Sequence, residues 1–138
     1  FLTTHFMDEA EELCQRIGDT PQIFPAVWGL FLFRRSRGEI DGAHELATRL
    51  LTLARASADP GLLIEAHHAL WATRFARGEL GAVVDHVNEA LALYDPDRHA
   101  SLAGVYGNHD PGVCALGDGA WWAFLPATVL LTVIAFSL

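Results

Sequence analysis

Arg37-Gly38-Glu39-Ile40 recurs forty residues later as Arg77-Gly78-Glu79-Leu80. The echo reaches outward on both sides. Arg34 answers Arg74, Phe31 answers Trp71, Leu30 answers Leu70, Ala26 answers Ala66, and Asp19-Thr20-Pro21 is matched by Ala58-Asp59-Pro60. Self-similarity at a period of roughly 20–50 residues marks stacked-repeat architectures, in which each unit buries its apolar face against the next. The repeated glycine, set just after an apolar run and before another, reads as the stop of one helix and the turn into its partner.

Helical periodicity fills the space between these turns. A first helix is expected from about His5 to Ile17, with Leu2, Phe6, Ala10, Leu13, Cys14 and Ile17 recurring at three- and four-residue steps and Gly18 as its stop. A second runs from Thr20-Pro21 to about Arg37, with Pro25 either tolerated early or marking the true start. Its run of Ile23, Phe24, Val27, Trp28, Leu30, Phe31 and Phe33 is apolar nearly all round, so this helix should be buried on most sides. Further helices are expected over about Ile40 to Ala56, Leu62 to Ala76 and Leu80 to Tyr94, with Asp59-Pro60-Gly61 read as a turn and Asp95-Pro96-Asp97 as an end. Beyond Asp95 the rhythm fails. A short helix is possible near His99 to Tyr106, Asn108-His109-Asp110-Pro111-Gly112 reads as a turn, and helical character returns after Val113. The expected fold is therefore all-α: an antiparallel helix-hairpin array of about five to seven helices. Residues 1–119 form the repeats, with units 18–57 and 58–96 the clearest, and residues 120–138 form an apolar C-terminal segment.

Composition narrows the partners. The net charge of −8 disfavours nucleic acid, whose phosphates require a basic surface. All nine basic residues are Arg. Two cysteines, Cys14 and Cys114, lie far apart without a pairing pattern, which suits a reducing, cytoplasmic setting. No cleavable signal sequence is read at the N-terminus. From Ala120 to Leu138 no residue is charged, and this length approaches the roughly 20 apolar residues that span a bilayer. Pro126 and the lack of a basic flank weigh against a span, so a buried terminal helix is preferred and a membrane tether through residues 121–138 is the alternative.

The segment Gly78-Glu79-Leu80, Val83, Val87, Ala90-Leu91, Leu93 and Asp95-Pro96 resembles the second half of a tetratricopeptide repeat. It carries one extra residue, Tyr94, before Asp95-Pro96. Trp71 stands where the repeat has a small residue, and the period of forty exceeds the usual one, so the units are tetratricopeptide-like with longer helices. More specifically, Glu12-Leu13-Cys14, Gly18-Asp19-Thr20-Pro21, Trp28-Gly29-Leu30, Ala66-His67-His68-Ala69-Leu70, Ala92-Leu93-Tyr94-Asp95 and Asp110-Pro111-Gly112-Val113 resemble the tetratricopeptide-like regions of large bacterial signalling ATPases, often joined to class III adenylate/guanylate cyclase domains. The resemblance covers about Glu11 to Ala120 and implies a regulatory or partner-binding arm. Leu2 to Glu11 is similar to the switch-histidine segment of ABC-transporter ATPases, in which the residue matching His5 would sense a nucleotide phosphate. The chain has no Gly-rich phosphate loop and no Lys, so the third reading, a remnant of a nucleotide-binding ATPase, ranks last.

Residues able to do chemistry are present but unmarked. Glu65, His67 and His68 share one helix, and His109, Asp110 and Cys114 lie close in sequence, which invites a metal reading. Adjacent His67 and His68 point about 100° apart on a helix, so the plainer reading is one packing and one surface histidine, and no metal or cofactor is expected. His44 and His86 read as surface or packing residues on amphipathic helices. Cys14 reads as a core residue, and Cys114 with His109 nearby as the better reactive candidate, though no catalytic set is marked. Arginines Arg34, Arg35 and Arg37, echoed by Arg74 and Arg77, complement helix C-terminal dipoles. The expectation is a non-catalytic module for a protein or peptide partner, or for other domains of its parent protein. Its groove would draw on Phe33, Trp71, Arg34, Arg74 and His67, most aromatics being core.

Overall fold

A computed structural model describes residues 20–106 and 109–120, together with residues 9, 10, 12, 13, 16 and 18. A 3-10 turn, Pro21–Ile23, leads into α1 (Phe24–Ser36). Then follow α2 (Ile40–Ser57), α3 (Pro60–Ala76), α4 (Leu80–Leu93) and the single turn α5 (Pro96–His99), extended as a 3-10 helix over Ala100–Gly104. Residues 111–120 form α6. The fold is all-α, with no strand among the described residues. Each long helix packs on its neighbours in sequence, and α1 also touches α3. Turns of two or three residues force the successive long helices to run antiparallel.

The echoed phrase builds the same turn twice. At the end of α1 the Gly38 N–H bonds the Arg35 carbonyl at 3.0 Å and the Glu39 N–H bonds the Arg34 carbonyl at 3.0 Å. At the end of α3 the Gly78 N–H bonds the Phe75 carbonyl at 2.8 Å and the Glu79 N–H bonds the Arg74 carbonyl at 2.9 Å. This pair of bonds is the Schellman closure, which satisfies carbonyls that a helix end leaves open and requires a left-handed residue at its centre. Gly38 and Gly78 supply it, with φ of 76° and 75°.

Helix starts use a second device. Asp59, Asp95 and Asp110 each precede a proline, and a side-chain oxygen of each accepts a backbone N–H two residues on, at 2.8, 3.0 and 2.8 Å. The carboxylate satisfies an open donor, and proline fits the first helical position because its missing N–H is not needed there. The sequences read as turns are therefore caps: α3 begins at Pro60 rather than Leu62, and α6 at residue 111 rather than after Val113. Of the two starts left open for α1, the later holds, with Pro25 in its first turn.

Burial corrects one expectation. The nearly all-apolar α1 shows only one side to the core, through Phe24, Val27, Trp28, Leu30 and Phe31, while Leu32 is exposed. The enclosed helix is α3, buried without a break from Ile64 to Thr73. One core lies between α1, α2 and α3, centred on Phe24, Phe31, Leu50, Leu53 and Leu70. The other joins α3, α4 and α6 through Ile64, Trp71, Val83, Val87 and Ala115. After α5 the chain turns back so that Tyr106 meets Phe24 and Trp28 edge-on, at 5.5 and 5.6 Å between ring centres.

The described positions of the expected first helix, Glu9, Ala10, Glu12, Leu13 and Arg16, are helical, with Ala10 against the core and Leu13 exposed. His5 and Cys14 lie outside the described residues, as do residues 121–138, on which the membrane-tether alternative rests. Among the described residues no helix is long and apolar enough to cross a membrane.

Candidate functional site

The arginines of the repeated phrase serve its turn. Glu39 accepts from Arg37 Nε at 2.8 Å and from Arg34 Nη1 at 3.3 Å. In the second unit Glu79 accepts from Arg77 Nε at 2.7 Å and from Arg74 Nη1. The two hydrogen bonds hold the Glu79 carboxyl below its ordinary range. Arg77 also reaches Asp41 Oδ1, at 3.0 Å, and so ties the second turn to the first hairpin. Arg34 and Arg74 are thus engaged in clasps around helix ends.

The expected groove is not assembled. Trp71 is 1% exposed and its indole N–H donates to Asp118 Oδ2 at 2.9 Å, so it is a core residue that fastens α6 to α3. His67 is buried as well, its Nδ1 3.1 Å from Nδ1 of His86 and its Nε2 3.2 Å from Glu89. Burial lowers its pKa, with His86 pulling the same way and Glu89 opposing. Neither residue is available to a partner. Phe33 is half-buried under the Arg37 guanidinium, and of the aromatics in the two units it is Phe75 that is exposed, at 47%. The physical reason is that α3 is covered from both sides, by α2 and by α4 and α6, which periodicity within one helix cannot disclose. His44, read as surface or packing, is half-buried and sets its Nδ1 3.0 Å from the Thr73 hydroxyl across α2 and α3.

Polar groups gather instead where α6 folds back over α3. Glu65 and His68 lie one helical turn apart, with Glu65 Oε2 3.4 Å from His68 Nδ1. The His68 ring stacks on Trp71 at 4.6 Å and meets His109 edge-on at 5.1 Å. One ligand atom each from His68, His109 and Cys114 lies within 4.8 Å of the others. His67, His86 and Glu89 make a second such group between α3 and α4, already joined by their own contacts. Asp110, which caps α6, also accepts from the Tyr94 hydroxyl at 2.7 Å. The Tyr94 ring lies so close to Gly112 that a Cβ there would sit 2.5 Å from it.

Desolvation dominates the electrostatics of this corner. Burial pushes the Glu65 carboxyl up to about 8, against the pull of His109 and with the push of Asp110. It drives His68 down to about 4, with His109 acting the same way. Burial and then Asp118, Glu65 and Asp110 raise the Cys114 thiol to about 11. A nucleophilic cysteine needs a depressed pKa, so Cys114 is a poor nucleophile here, which corrects its reading as the better reactive candidate.

An open apolar cleft of about 420 Å³ separates α4 from α6, lined by Val84, Val87, Leu91, Ala115 and Leu116 among others. Val84 and Leu116 are exposed. The charged residues of these two helices are Asp85, Glu89 and Asp118, all acidic. Hydrophobic periodicity missed this cleft because Leu116 and Ala115 sit on a ten-residue helix read as the far side of a turn.

No family model matches the chain, and no solved structure matches it at a significant level. An uncharacterized protein of Rhizobium meliloti (strain 1021) is 28% identical to it over 113 residues, a stretch that is 80% of this chain and 11% of that relative. The chain thus spans about a ninth of the length of the curated relative it matches.

Proposed function

We propose that this chain is a non-catalytic helix-hairpin repeat module that holds a protein or peptide segment, and that it works as an arm of a larger signalling polypeptide. The observation that carries the reading is the open apolar cleft between α4 and α6, on which Val84 and Leu116 are exposed. An amphipathic helix is the complementary ligand: its apolar side would cover Val84 and Leu116. Neighbour-on-neighbour packing and the twice-built clasp are features of repeat arrays, which bind through extended surfaces. The relative's much greater length supports membership of a larger chain. The resemblance to tetratricopeptide-like arms of bacterial signalling ATPases and cyclases supplies the parent class, and with it a cytoplasmic location.

A random-peptide selection against the full chain tests the proposal. Enriched peptides should be amphipathic, and calorimetry should show Val84→Asp and Leu116→Asp each weakening them by more than about tenfold, the effect of losing one buried apolar anchor. Phe33→Ala should leave binding unchanged. A selection without enrichment, or peptides indifferent to both cleft variants, would overturn the reading.

A further inference from the structure

We infer that His68, His109 and Cys114 form a binding site for a thiophilic divalent cation, zinc above all, with Glu65 positioning His68 from behind. Three different elements deliver these ligands: α3 carries His68, the turn before α6 carries His109, and the first turns of α6 carry Cys114. One atom of each lies within 4.8 Å of the others. In a zinc tetrahedron with bonds of about 2.0–2.3 Å the ligand atoms stand about 3.3–3.8 Å apart. The three must therefore close by about 1 Å, a movement that His109 at the surface and half-buried Cys114 can make. Two imidazoles and a cysteine sulfur, whose proton the ion displaces to solvent, are a donor set that selects zinc over magnesium or calcium, which prefer oxygen.

Glu65 is the independent observation. Its side chain is 1% exposed, and Oε1 has no hydrogen-bond partner among the described residues. A carboxylate is costly to bury without a compensating charge. Its other oxygen lies 3.4 Å from His68 Nδ1. When Nδ1–H donates to the carboxylate, Nε2 carries the lone pair a metal needs, and the carboxylate raises the basicity of the ring. The ion would bring the positive charge that lets this buried carboxyl ionise. The fourth position falls to water. Among the described residues neither the His109 ring nor the Cys114 thiol makes a hydrogen bond, whereas the His67–His86–Glu89 group is already closed on itself. An ion here would cross-link α6 to α3 beside the Trp71–Asp118 bond and hold one wall of the cleft in place.

The test is cobalt(II) and zinc(II) binding to the full chain. One equivalent of cobalt should give tetrahedral d–d absorption together with a thiolate-to-cobalt charge-transfer band, and zinc should displace it. Cys114→Ser should abolish the charge-transfer band, and His109→Ala, at an exposed position that does not threaten folding, should weaken zinc by more than about 100-fold. Glu65→Gln should weaken zinc about 10–100-fold with the tetrahedral spectrum kept, as expected of a residue acting through a ligand. His86→Ala should change nothing. Absence of the thiolate band in the wild-type chain would overturn the inference. So would binding that survives both Cys114→Ser and His109→Ala, or that is lost with His86→Ala.

Discussion

Replacing Glu65 by Gln should stabilise the metal-free protein at neutral pH and do little in mild acid. The carboxyl ionises near 4.5 in an unfolded chain, but burial in the fold keeps its proton to about 8. Folding at neutral pH must therefore take up a proton, and stability falls as pH rises from about 4.5 to about 8, then levels off. Each pKa unit corresponds to about 1.4 kcal/mol, so the penalty amounts to about 3 kcal/mol at pH 7 and no more than about 1 kcal/mol at pH 5. Glutamine keeps the shape, cannot ionise, and can offer an amide N–H to His68 Nδ1. His68, held down to about 4, destabilises the fold as pH falls below 6.5, but it is present in both proteins and cancels in the difference. Urea unfolding followed by tryptophan fluorescence, with chelator present, measures the gap between wild type and variant across this range. A gap in favour of Gln that grows from about pH 5 to about pH 8 is the expected result. A gap independent of pH, or a variant less stable than wild type at pH 7, would refute the assignment of Glu65 as a desolvated carboxyl.

Further predictions concern the turns and the second core. Gly38→Ala and Gly78→Ala should each cost about 1–2 kcal/mol in urea unfolding, because both positions are left-handed and a Cβ there meets a backbone penalty rather than a neighbour; equal stability would mean that the clasps do not hold the hairpins. Gly112→Ala should cost about 1–3 kcal/mol by pushing the Tyr94 ring off Asp110. Gly29→Ala, exposed in the middle of α1 with nothing within 4 Å, should gain about 0.5–1 kcal/mol in the same assay, and the two substitutions moving stability in the same direction would contradict the packing described. Trp71→Phe should cost about 1–3 kcal/mol through the lost indole bond and ring volume, and amide exchange in residues 111–120 should rise with it, since Asp118 is the partner across α3 and α6.

Much of the local structure was legible in the chain itself. A repeated Arg-Gly-Glu after an apolar run specifies a helix stop, a left-handed glycine and a carboxylate within reach of two arginines, because those requirements are set within six residues. Asp-Pro likewise specifies a helix start, although Asp59-Pro60 and Asp110-Pro111 were legible only as breaks in the rhythm. Periodicity also gave α2 and α4 to within one residue at each end.

What the tertiary structure alone decided is which helix becomes the centre. The apolar α1 ends at the side of the array, and α3, which carries Glu65, His67, His68 and Thr73, is enclosed. Burial depends on how many neighbours a helix acquires, and α3 acquires α2, α4 and α6, the last through the long-range Trp71–Asp118 bond. That enclosure removed Trp71 and His67 from the surface on which a partner was expected. It also brought His109 and Cys114, some forty residues from His68 in sequence, to the same corner as a buried carboxylate. Sequence spacing constrains chemistry only within one element. The convergence of ligands from a helix, a turn and a second helix exists only once the chain has folded back on itself.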